Sequence, residues 1–329
     1  MSSGRGTLKH VTALAAILSA ALLCPEPASA QTYPDRSVRM MIAFSAGGSL
    51  DTLARIICQK LGDKWGHSIV IENRPGAGGN IGAAAAAQSS PDGYTLHFGA
   101  QSLAVNVTIA PQRGFDPVKD FEPVILVGTA QDVLMVPPDS KFQSVKDLIA
   151  HAKENPGTLN YASAGLGSSG HLATVMLSEL AGIKMQHVPY ASQPQAVTDI
   201  MSGRISLWIT TLGGQIGNIR GGKMRPLAVS GTARSELFPD VPTFKEMGIG
   251  FVDETSWYGI FAPKGTPREV VARVNRDVNA VLEDPEMKSR TSTMGFRMFG
   301  GPPDALEQHL KAEIAKWAEV AKSAGMMAK

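Results

Sequence analysis

A short run of small residues between an apolar segment and a helical pattern has the composition of an anion-binding turn. Residues 40–44 are apolar, residues 45–48 read Ser-Ala-Gly-Gly, and a helical pattern starts at Gly48 or Ser49. The first turn of a helix leaves backbone N–H groups without intrahelical partners at the positive end of the helix dipole. Small residues also let a ligand approach the backbone closely. The pattern therefore predicts a seat for a carboxylate or a phosphate, which would form half of an anion-binding cleft.

A second turn of this kind, residues 165–170, lies in mid-chain between a predicted strand and a predicted helix. Its three glycines match G-x-G-x-x-G, which in dinucleotide-binding proteins precedes an acidic residue by about 20 positions. Here the end of the next predicted strand, residues 187–192, reads His-Val-Pro-Tyr-Ala-Ser and holds no acid. We therefore interpret the turn as a second helix N-terminus that favours an anion, with Ser163, Ser168 and Ser169 as neutral hydroxyl donors.

Serine-hydrolase and metal-site interpretations fit the second turn less well. The nucleophile elbow G-x-S-x-G requires a final glycine, and His171 stands at that position. Ser169 and His171 are two residues apart at a helix start, so they are expected to face different directions. The histidines of the chain also lack the spacing of metal ligands. We expect His171 to orient the turn, and we predict no catalytic residue, no metal site and no cofactor.

Two reactive side chains of the first predicted helix have structural interpretations. An acid in the first turn of a helix interacts favourably with the helix dipole, and Asp51 can also pair with Arg55 four positions on. If an anion binds at this turn, Asp51 must point away from it. Cys58 lies beside Ile56 and Ile57 on the apolar side of the helix, which indicates a buried thiol rather than a nucleophile.

Apolar strand patterns and helical patterns alternate around these turns. The first predicted strands lie at residues 38–44, 68–72 and 94–98. A long extended stretch follows at residues 124–136, and the alternation then restarts with a helix at residues 145–153. Such alternation predicts an α/β fold with a mainly parallel sheet and flanking helices in each of two domains.

The two extended stretches of the chain suggest how the domains are connected. The second stretch lies near residues 252–262, and a capping box at residues 266–269 is predicted to begin the helix behind it. We expect domain 1 to comprise residues 31–130 and 255–329, and domain 2 to comprise residues 131–254. A hinge of two strands permits domain closure over a ligand.

The bulk composition is that of a globular protein and excludes a nucleic-acid partner. The chain of 329 residues is 43% hydrophobic and 18% charged, with a formal net charge of +2. This length is sufficient for two domains of ordinary size. A protein that binds a polyanion has a basic patch or stripe, and no such cluster of Lys and Arg occurs here.

The N-terminus has the pattern of an export signal. Arg5 and Lys9 precede an apolar run at residues 11–23, and Ala28-Ser29-Ala30 forms a small-x-small cleavage site. The apolar run is too short to span a bilayer. A lipoprotein signal at Cys24 would place bulky Leu22 and Leu23 where small residues are expected. We therefore predict an exported protein with cleavage after Ala30, in which Cys58 remains without a disulfide partner.

Nine segments of the chain resemble the periplasmic solute receptors of the tripartite tricarboxylate transporter family, also called Bug-type receptors. The similar segments lie at residues 33–34, 44–51, 70–82, 92–95, 161–173, 187–190, 227–229, 239–243 and 262–267. The segment at residues 70–82 reads VIENRPGAGGNIG. The segments follow one another in order along essentially the whole predicted mature chain.

The resemblance implies a two-lobed, type II-like periplasmic-binding-protein fold, or Venus flytrap, that closes over a carboxylated ligand. It implies that the first turn holds the ligand carboxylate and that the second turn and the region of Tyr190 complete the site. Residues of the loop after the third strand are expected to face the cleft, and Thr210 is a weaker candidate. The expected site residues are Phe44, Ser45, Ala46, Gly47, Gly48, Ser49, Gln101, Ser102, Asn106, Ser163, Gly167, Ser168, Ser169, His171, Tyr190 and Thr210. The implied partners are a small carboxylate and membrane transporter subunits, with the receptor itself a monomer.

Two places depart from the family pattern. The first turn usually contains prolines, where this chain has Ala43 and Ser45, and Lys-Gly usually follows Val-Pro-Tyr, where this chain has Ala191 and Ser192. The first change adds a hydroxyl donor and the second removes a cation near the cleft. Two alternatives remain open: a receptor that feeds a signalling partner, and an exported enzyme that uses Ser169.

Overall fold

The computed structural model describes residues 33–249 and 256–323. Within these residues, the strands form two separate β-sheets with flanking helices, so the protein has two lobes. The predicted export signal, residues 1–30, lies outside the described residues. Residues 252–255 of the second predicted extended stretch also lie outside them.

The first lobe is built on a six-stranded sheet. Its strands are β1 (Val38–Ile42), β2 (Ile69–Asn73), β3 (Thr95–Ala100), β4 (Phe121–Ala130), β10 (Ser256–Pro263) and β11 (Phe296–Met298). They lie in the order β11-β4-β10-β3-β1-β2. Strand β1 is buried except at Arg39, which is why its other four residues are all apolar.

Six helices accompany this sheet in the described part of the chain. They are α1 (Ser49–Trp65), α2 (Asn80–Ala87), α3 (Ser102–Ile109), α8 (Arg268–Glu283), α9 (Pro285–Ser292) and α10 (Pro303–Ser323). Helix α1 contacts β2 and α8, and α10 contacts α3 and β4. Leu306, Leu310 and Trp317 are buried along α10, as the helical spacing of apolar residues there predicts.

The second lobe contains a five-stranded sheet and the remaining helices. Its strands are β5 (Asp132–Val136), β6 (Asn160–Ser163), β7 (Gln186–Pro189), β8 (Leu207–Thr211) and β9 (Arg225–Val229), in the order β7-β6-β8-β5-β9. Its helices are α4 (Val145–Glu154), α5 (Ser169–Ala181), α6 (Gln193–Met201) and α7 (Ile216–Arg220). Helix α5, which follows the second glycine turn, contacts β6 and β8.

Both sheets are mixed, although the sequence pattern predicts mainly parallel ones. Strand β1 pairs in parallel with β2 and β3, and β6 pairs in parallel with β7 and β8. These strands are joined by helical crossovers, which parallel pairing requires. The antiparallel pairs involve β4, β5 and β10. Strands β4 and β5 carry the chain from one sheet to the other, so their direction is set by the crossing.

The connection between the two sheets is much shorter than the predicted extended stretch at residues 124–136. That stretch consists of two strands in different sheets, β4 and β5, with Gln131 alone between them. The Gln131 side-chain amide donates to the carbonyl oxygens of Ser230 and Ala233 at 2.8 Å each. Ser256 Oγ donates to Asp132 Oδ1 at 2.9 Å. These bonds tie β5 to the residue after β9 and to the first residue of β10.

Two local predictions are wrong. The residues after β3 form helix α3 rather than a loop, because a run of apolar residues packs this segment against α10. The predicted capping box before α8 does not form. Pro267 is the N-cap itself, without a side-chain cap, and Thr266 Oγ1 donates to the carbonyl oxygen of Pro263 at 2.7 Å instead.

Within the described residues, no helix combines the length and the apolar character that crossing a membrane requires.

Candidate ligand-binding cleft

A cavity lies between the two lobes and is lined by residues from both glycine turns. It has a volume of about 820 Å³, part of which is open to solvent. Eleven of the expected site residues line it: Phe44, Ser45, Gly48, Ser49, Gln101, Ser102, Ser163, Ser168, Ser169, Tyr190 and Thr210. The other five, Ala46, Gly47, Asn106, Gly167 and His171, lie outside the lining. None of the described residues that line the cavity carries a formal charge.

The first turn presents an open helix N-terminus to the cavity. Gly48 is the N-cap of α1, with extended backbone angles and no side-chain cap. The backbone N–H groups of the first helical turn therefore receive no side-chain cap from the described residues. Ser49 is 5% exposed, and its Oγ has no hydrogen-bond partner within residues 33–249 and 256–323. A buried hydroxyl without a partner is rare in folded proteins, and here it stands at the positive end of a helix.

Asp51 supports this turn from the side that faces away from the cavity. Its Oδ2 accepts the backbone N–H of Gly47 at 3.0 Å and Arg55 Nε at 2.8 Å. Its Oδ1 accepts Arg55 Nη2 at 3.0 Å and Asn73 Nδ2 at 2.9 Å. Asn73 Nδ2 also donates to the carbonyl oxygen of Phe44 at 3.0 Å. Because the Gly47 N–H is already bonded to Asp51, it is not available to a ligand.

The ionised form of Asp51 is favoured despite its burial. Burial raises the pKa of the carboxyl, but the hydrogen bonds from Arg55, Gly47 and Asn73 lower it by more. The net pKa of Asp51 is therefore below its ordinary value. A carboxylate held in this way fixes the shape of the turn without adding negative charge to the cavity wall.

The second turn satisfies most of its own polar groups. Ser168 is the N-cap of α5, and its Oγ accepts the N–H of His171 at 3.4 Å and donates to the carbonyl oxygen of Gly165 at 2.8 Å. Ser163 Oγ accepts the N–H of Gly165 at 3.0 Å and lies 2.6 Å from His187 Nε2. These two hydroxyls are engaged within the turn. Ser169 is half-buried, and no such bond occupies its hydroxyl among the described residues.

Two histidines and a tyrosine pack behind the second turn. The rings of His171 and His187 have centroids 4.4 Å apart, and Tyr161 stacks on His187 at 5.0 Å. Burial lowers the pKa of His171 to about 4, with a smaller contribution from His187, and burial also lowers the pKa of His187. His171 Nδ1 accepts the N–H of Gly167 at 3.4 Å. His171 therefore orients the turn as neutral imidazole, and no hydrogen bond joins it to Ser169 among the described residues.

Asn106 lies at a contact between the lobes rather than in the cavity. It is 1% exposed and donates to the carbonyl oxygen of Gly78 at 3.1 Å and to Asn80 Oδ1 at 2.8 Å. A Cβ atom on Gly167 would lie 1.9 Å from Oδ1 of Asn106, and one on Gly78 would lie 1.7 Å from the carbonyl oxygen of Leu166. Glycine is therefore required on both sides, because the backbones of the two lobes touch here.

Tyr190 lines the cavity with its ring, while its hydroxyl is bonded elsewhere. The phenol donates to Asp199 Oδ2 at 2.8 Å, and Asp199 Oδ1 accepts Arg204 Nη1 at 2.9 Å. Burial and the bond to Asp199 raise the pKa of Tyr190 to about 12. The neutral phenol therefore acts as a wall of the cavity.

Twelve lining residues were not expected from the sequence. They are Leu50, Ala100, Ala164, Gly170, Ser192, Gln193, Ala196, Trp208, Ile209, Thr211, Ser256 and Tyr258. Several adjoin an expected residue, so their position could have been found by extending the predicted turns. Trp208, Ser256 and Tyr258 lie on buried strands distant in sequence, and nothing in their local pattern distinguishes them from core residues. Burial raises the pKa of Tyr258, so this phenol is neutral as well.

Comparison with known proteins places the chain in a receptor family. The family model described as the tripartite tricarboxylate transporter family receptor matches residues 53–326. Protein BugT of Bordetella pertussis is 35% identical over 91% of this chain and 92% of its own length. A protein in the tcbD-tcbE intergenic region of Pseudomonas sp. strain P51 is 37% identical over 87% of this chain and 85% of its own length.

Solved structures of similar sequence have the same fold. The R. palustris protein Rpa4515, solved with adipate, is 36% identical with a TM-score of 0.86, covering 89% of this chain and 98% of that chain. The periplasmic binding protein BugD is 31% identical with a TM-score of 0.86, covering 90% and 100%. MatC from Rhodopseudomonas palustris, with bound malate, is 29% identical with a TM-score of 0.84, covering 88% and 99%.

These similarities confirm the resemblance to the receptor family and the two-lobed periplasmic-binding-protein fold. The relatives are solute-binding receptors rather than enzymes, so the hydrolase alternative is wrong. The bonds of Ser168 and His171 within the second turn agree with that conclusion. The chain belongs to the tripartite tricarboxylate transporter receptor family.

Proposed function

We propose that this protein is an exported receptor that captures a small carboxylate between its lobes and delivers it to a membrane transporter. The observation that carries the proposal is the Oγ of Ser49, a residue that lines the cavity. This oxygen is buried at the uncapped N-terminus of α1 and has no partner among the residues that the structure describes. A ligand carboxylate at this point would accept that hydroxyl together with backbone N–H groups of the first helical turn. Both interactions favour a negative charge.

The neutral lining is compatible with an anionic ligand. Burying a carboxylate beside a cation removes two charges from water, and their attraction often does not offset the cost of desolvation. Hydroxyl and backbone N–H donors hold the anion without a second buried charge. Ser45 and Ser49 on the first turn and Ser169 on the second are the side-chain donors that we assign to the ligand. Ala46, Gly47, Gly167, Asn106 and His171 would act indirectly, by holding the two turns in place.

Capture by closure follows from donors on both lobes. We assign residues 31–130 and 255–329 to one domain and residues 131–254 to the other, joined near Gln131 and before Ser256. A ligand favours the closed form only if it binds that form more tightly than the open form. A carboxylate that contacts Ser49 and Ser169 together would meet this condition, because these residues lie on different lobes.

The ligand class is supported by the similar receptors solved with adipate and malate. Adipate and malate are both small dicarboxylates. We therefore assign a small carboxylate as the ligand class, which includes dicarboxylates, tricarboxylates, acidic amino acids and aromatic acids. Export with cleavage after Ala30 would bring the receptor to the periplasm, where the family acts.

A thermal-shift screen of the mature chain tests the proposal. The panel contains acetate, malate, adipate, citrate, glutamate and benzoate, with phosphate and NADH as controls. A carboxylate present at 100 times its dissociation constant should stabilise the protein by about 2.7 kcal/mol. Stabilisation by phosphate or NADH alone, with no response to any carboxylate, would contradict the proposal.

Delivery to a transporter is tested separately, in cells. Deletion of the gene should abolish uptake of the carboxylate that gives the largest shift, and the chain carried on a plasmid should restore uptake. A receptor that serves a signalling partner would leave uptake unchanged after deletion while the transcriptional response to the ligand is lost.

A further inference from the structure

A glutamine from the second lobe reaches across the cavity to the N-terminus of α1. Gln193 is the first residue of α6 and lines the cavity. If Gly48 carried a Cβ atom, that atom would lie 3.2 Å from Nε2 of Gln193 and 3.8 Å from its Oε1. The carboxamide therefore lies directly against the residue that caps α1, with its nitrogen closer to that residue than its oxygen.

The space for this side chain is left by two glycines on opposite lobes. Gly48 faces one side of the Gln193 amide, and a Cβ atom on Gly214 would lie 3.6 Å from Oε1 of Gln193 and 2.8 Å from Oγ of Ser49. Gly214 thus brings the second lobe against the unpartnered hydroxyl of Ser49. The amide of Gln193, the hydroxyl of Ser49 and the start of α1 consequently share one corner of the cavity.

Two further amides orient the Gln193 carboxamide in the structure. Asn218 Nδ2 donates to Gln215 Oε1 at 3.0 Å, so the other end of the Gln215 amide is its donor. Gln215 is 1% exposed, and its Nε2 donates to Gln193 Oε1 at 3.5 Å. With its oxygen occupied, Gln193 keeps Nε2 for the cavity, and this nitrogen makes no hydrogen bond among the described residues.

We propose that Gln193 is a ligand-contacting residue that donates from its Nε2 to the carboxylate bound at the N-terminus of α1, and that Gln215 positions it. The inference rests on the proposed function and adds a donor on the second lobe to the same site. The Gln193 amide would contact the bound carboxylate from the second lobe, and it adds no cation to the cavity. A ligand that bridges Ser49 and Gln193 would hold the two lobes together.

The test exchanges the donor for an acceptor of the same shape. Gln193→Glu places a second carboxylate beside the bound one, and we expect the dissociation constant at pH 7.5 to rise at least about tenfold, because like charges repel at short range. Gln195→Glu is the matched control. It makes the same charge change two residues on, at an exposed position of α6 outside the cavity, and should change the dissociation constant less than about twofold.

The pH profile separates repulsion from misfolding. The introduced carboxyl regains a proton in mild acid, so the ratio of variant to wild-type dissociation constants for Gln193→Glu should be smaller at pH 5.0 than at pH 7.5. Gln193→Leu removes the donor without a charge, and we expect about a threefold to tenfold weakening whose ratio does not depend on pH. Melting temperatures without ligand should match the wild type for Gln193→Glu, which keeps an acceptor oxygen for Gln215, and for Gln195→Glu.

The positioning role of Gln215 is tested by coupling. Gln215→Leu should weaken binding about threefold in the wild type and leave it unchanged in the Gln193→Leu background, because its effect acts through Gln193. A purely structural role for Gln215 would weaken binding equally in both backgrounds and would overturn this assignment.

The measurement uses isothermal titration with the panel acids acetate, malate, adipate, citrate, glutamate and benzoate. If the wild type binds none of them, the proposed function fails together with the role of Gln193. If the wild type binds one and Gln193→Glu binds it equally well, the role of Gln193 alone is overturned. Equal weakening by Gln193→Glu and Gln195→Glu would also overturn it, because it would reflect long-range charge rather than contact.

Discussion

The first glycine turn, residues 44–49, and the second, residues 163–170, both join a parallel strand to a helix at the edge of the cavity. They differ in how their polar groups are satisfied. At the first turn, the helix has no side-chain cap, and Ser49 Oγ is buried without a partner in the described part of the chain. At the second turn, Ser168 caps the helix, and Ser163 is bonded to Gly165 and His187.

This difference indicates a binding role for the first turn and a structural role for the second. Donors left unsatisfied in a buried place reduce the stability of the free protein and are retained where a ligand completes them. A turn whose hydroxyls bond to its own backbone gains rigidity but offers less to a ligand. In the proposed function, the first turn is therefore the anion seat, and the second turn is a rigid part of the facing lobe.

The largest effect is expected where the second turn touches the first lobe. Gly167→Ala would place a Cβ atom 1.9 Å from Asn106 Oδ1, so the lobes would no longer approach to their present distance. We expect roughly a 100-fold loss of affinity for the best panel carboxylate, because the closed form becomes the minor one. Isothermal titration measures this loss.

Gly157→Ala is the control for backbone strain at that position. Gly157 has a φ of 76° against 77° for Gly167, and a Cβ atom there would meet nothing within 4 Å. Both variants should lose about 1–2 kcal/mol of unfolding free energy from the left-handed backbone. Equal affinity of the two variants would show that the contact at Asn106 is not needed for closure.

Removing the charge that supports the first turn should have the next largest effect. Asp51→Asn weakens the bonds to Gly47 and Arg55 and is expected to lower the unfolding free energy at pH 7 by about 2 kcal/mol, the usual value for hydrogen bonds to a charged group. Asp63→Asn, at an exposed position of the same helix, should change it by less than about 0.5 kcal/mol. Urea unfolding of the ligand-free proteins measures both.

The sign of the pH dependence distinguishes this effect from a packing defect. The pKa of Asp51 is lower in the folded protein than its ordinary value, so the stabilisation is fully present above the unfolded pKa of about 3.9 and is lost as the pH falls through the folded pKa. The difference between wild type and Asp51→Asn should therefore shrink below about pH 4. A difference that stays constant into acid would contradict the assigned role of the charge.

A crossed pair of serine variants tests the comparison most directly. Ser49→Ala should weaken carboxylate binding about tenfold and leave stability unchanged or slightly higher, because the hydroxyl removed has no partner in the free protein. Ser168→Ala should instead cost about 1 kcal/mol of stability through the lost N-cap. Its effect on affinity should be less than about threefold. The reverse pattern would exchange the roles of the two turns.

The sequence predicted both helix starts and their turns because glycines, small residues and the 3.6-residue apolar period act locally. It missed Trp208, Ser256 and Tyr258, which reach the cavity from strands whose order is set by tertiary pairing. Gln193 was missed because the apolar residues of that helix begin only after Pro194, whereas a proline is tolerated within the first turn. Asn106 was expected in the cavity, yet it bonds to Gly78 and Asn80 at the contact between lobes.

The smallest predicted effect is a loss of stability of the second turn in mild acid. Burial lowers the pKa of His171 to about 4, so the neutral form is favoured by folding. The unfolded chain takes up a proton below about pH 6.5, and stability is lost as the pH falls from there towards the folded pKa. At pH 6 we expect His171 to contribute a loss of about 1 kcal/mol or less relative to pH 8.

His171→Gln isolates this contribution, because the buried His97 of the first lobe also has its pKa lowered to about 4 by burial and titrates in the same range. The unfolding free energy of wild type minus that of His171→Gln should therefore fall as the pH is lowered from 8 to 6, while His97 contributes equally to both curves and cancels. His187 faces His171, so the titration of His187 is altered in the His171→Gln variant. The unfolding free energy of wild type minus that of His187→Gln should therefore also fall as the pH is lowered from 8 to 6. A pH-independent difference in both subtractions would mean that the second turn does not depend on neutral imidazoles. The contrast between the first and second turns would then rest on their serines alone.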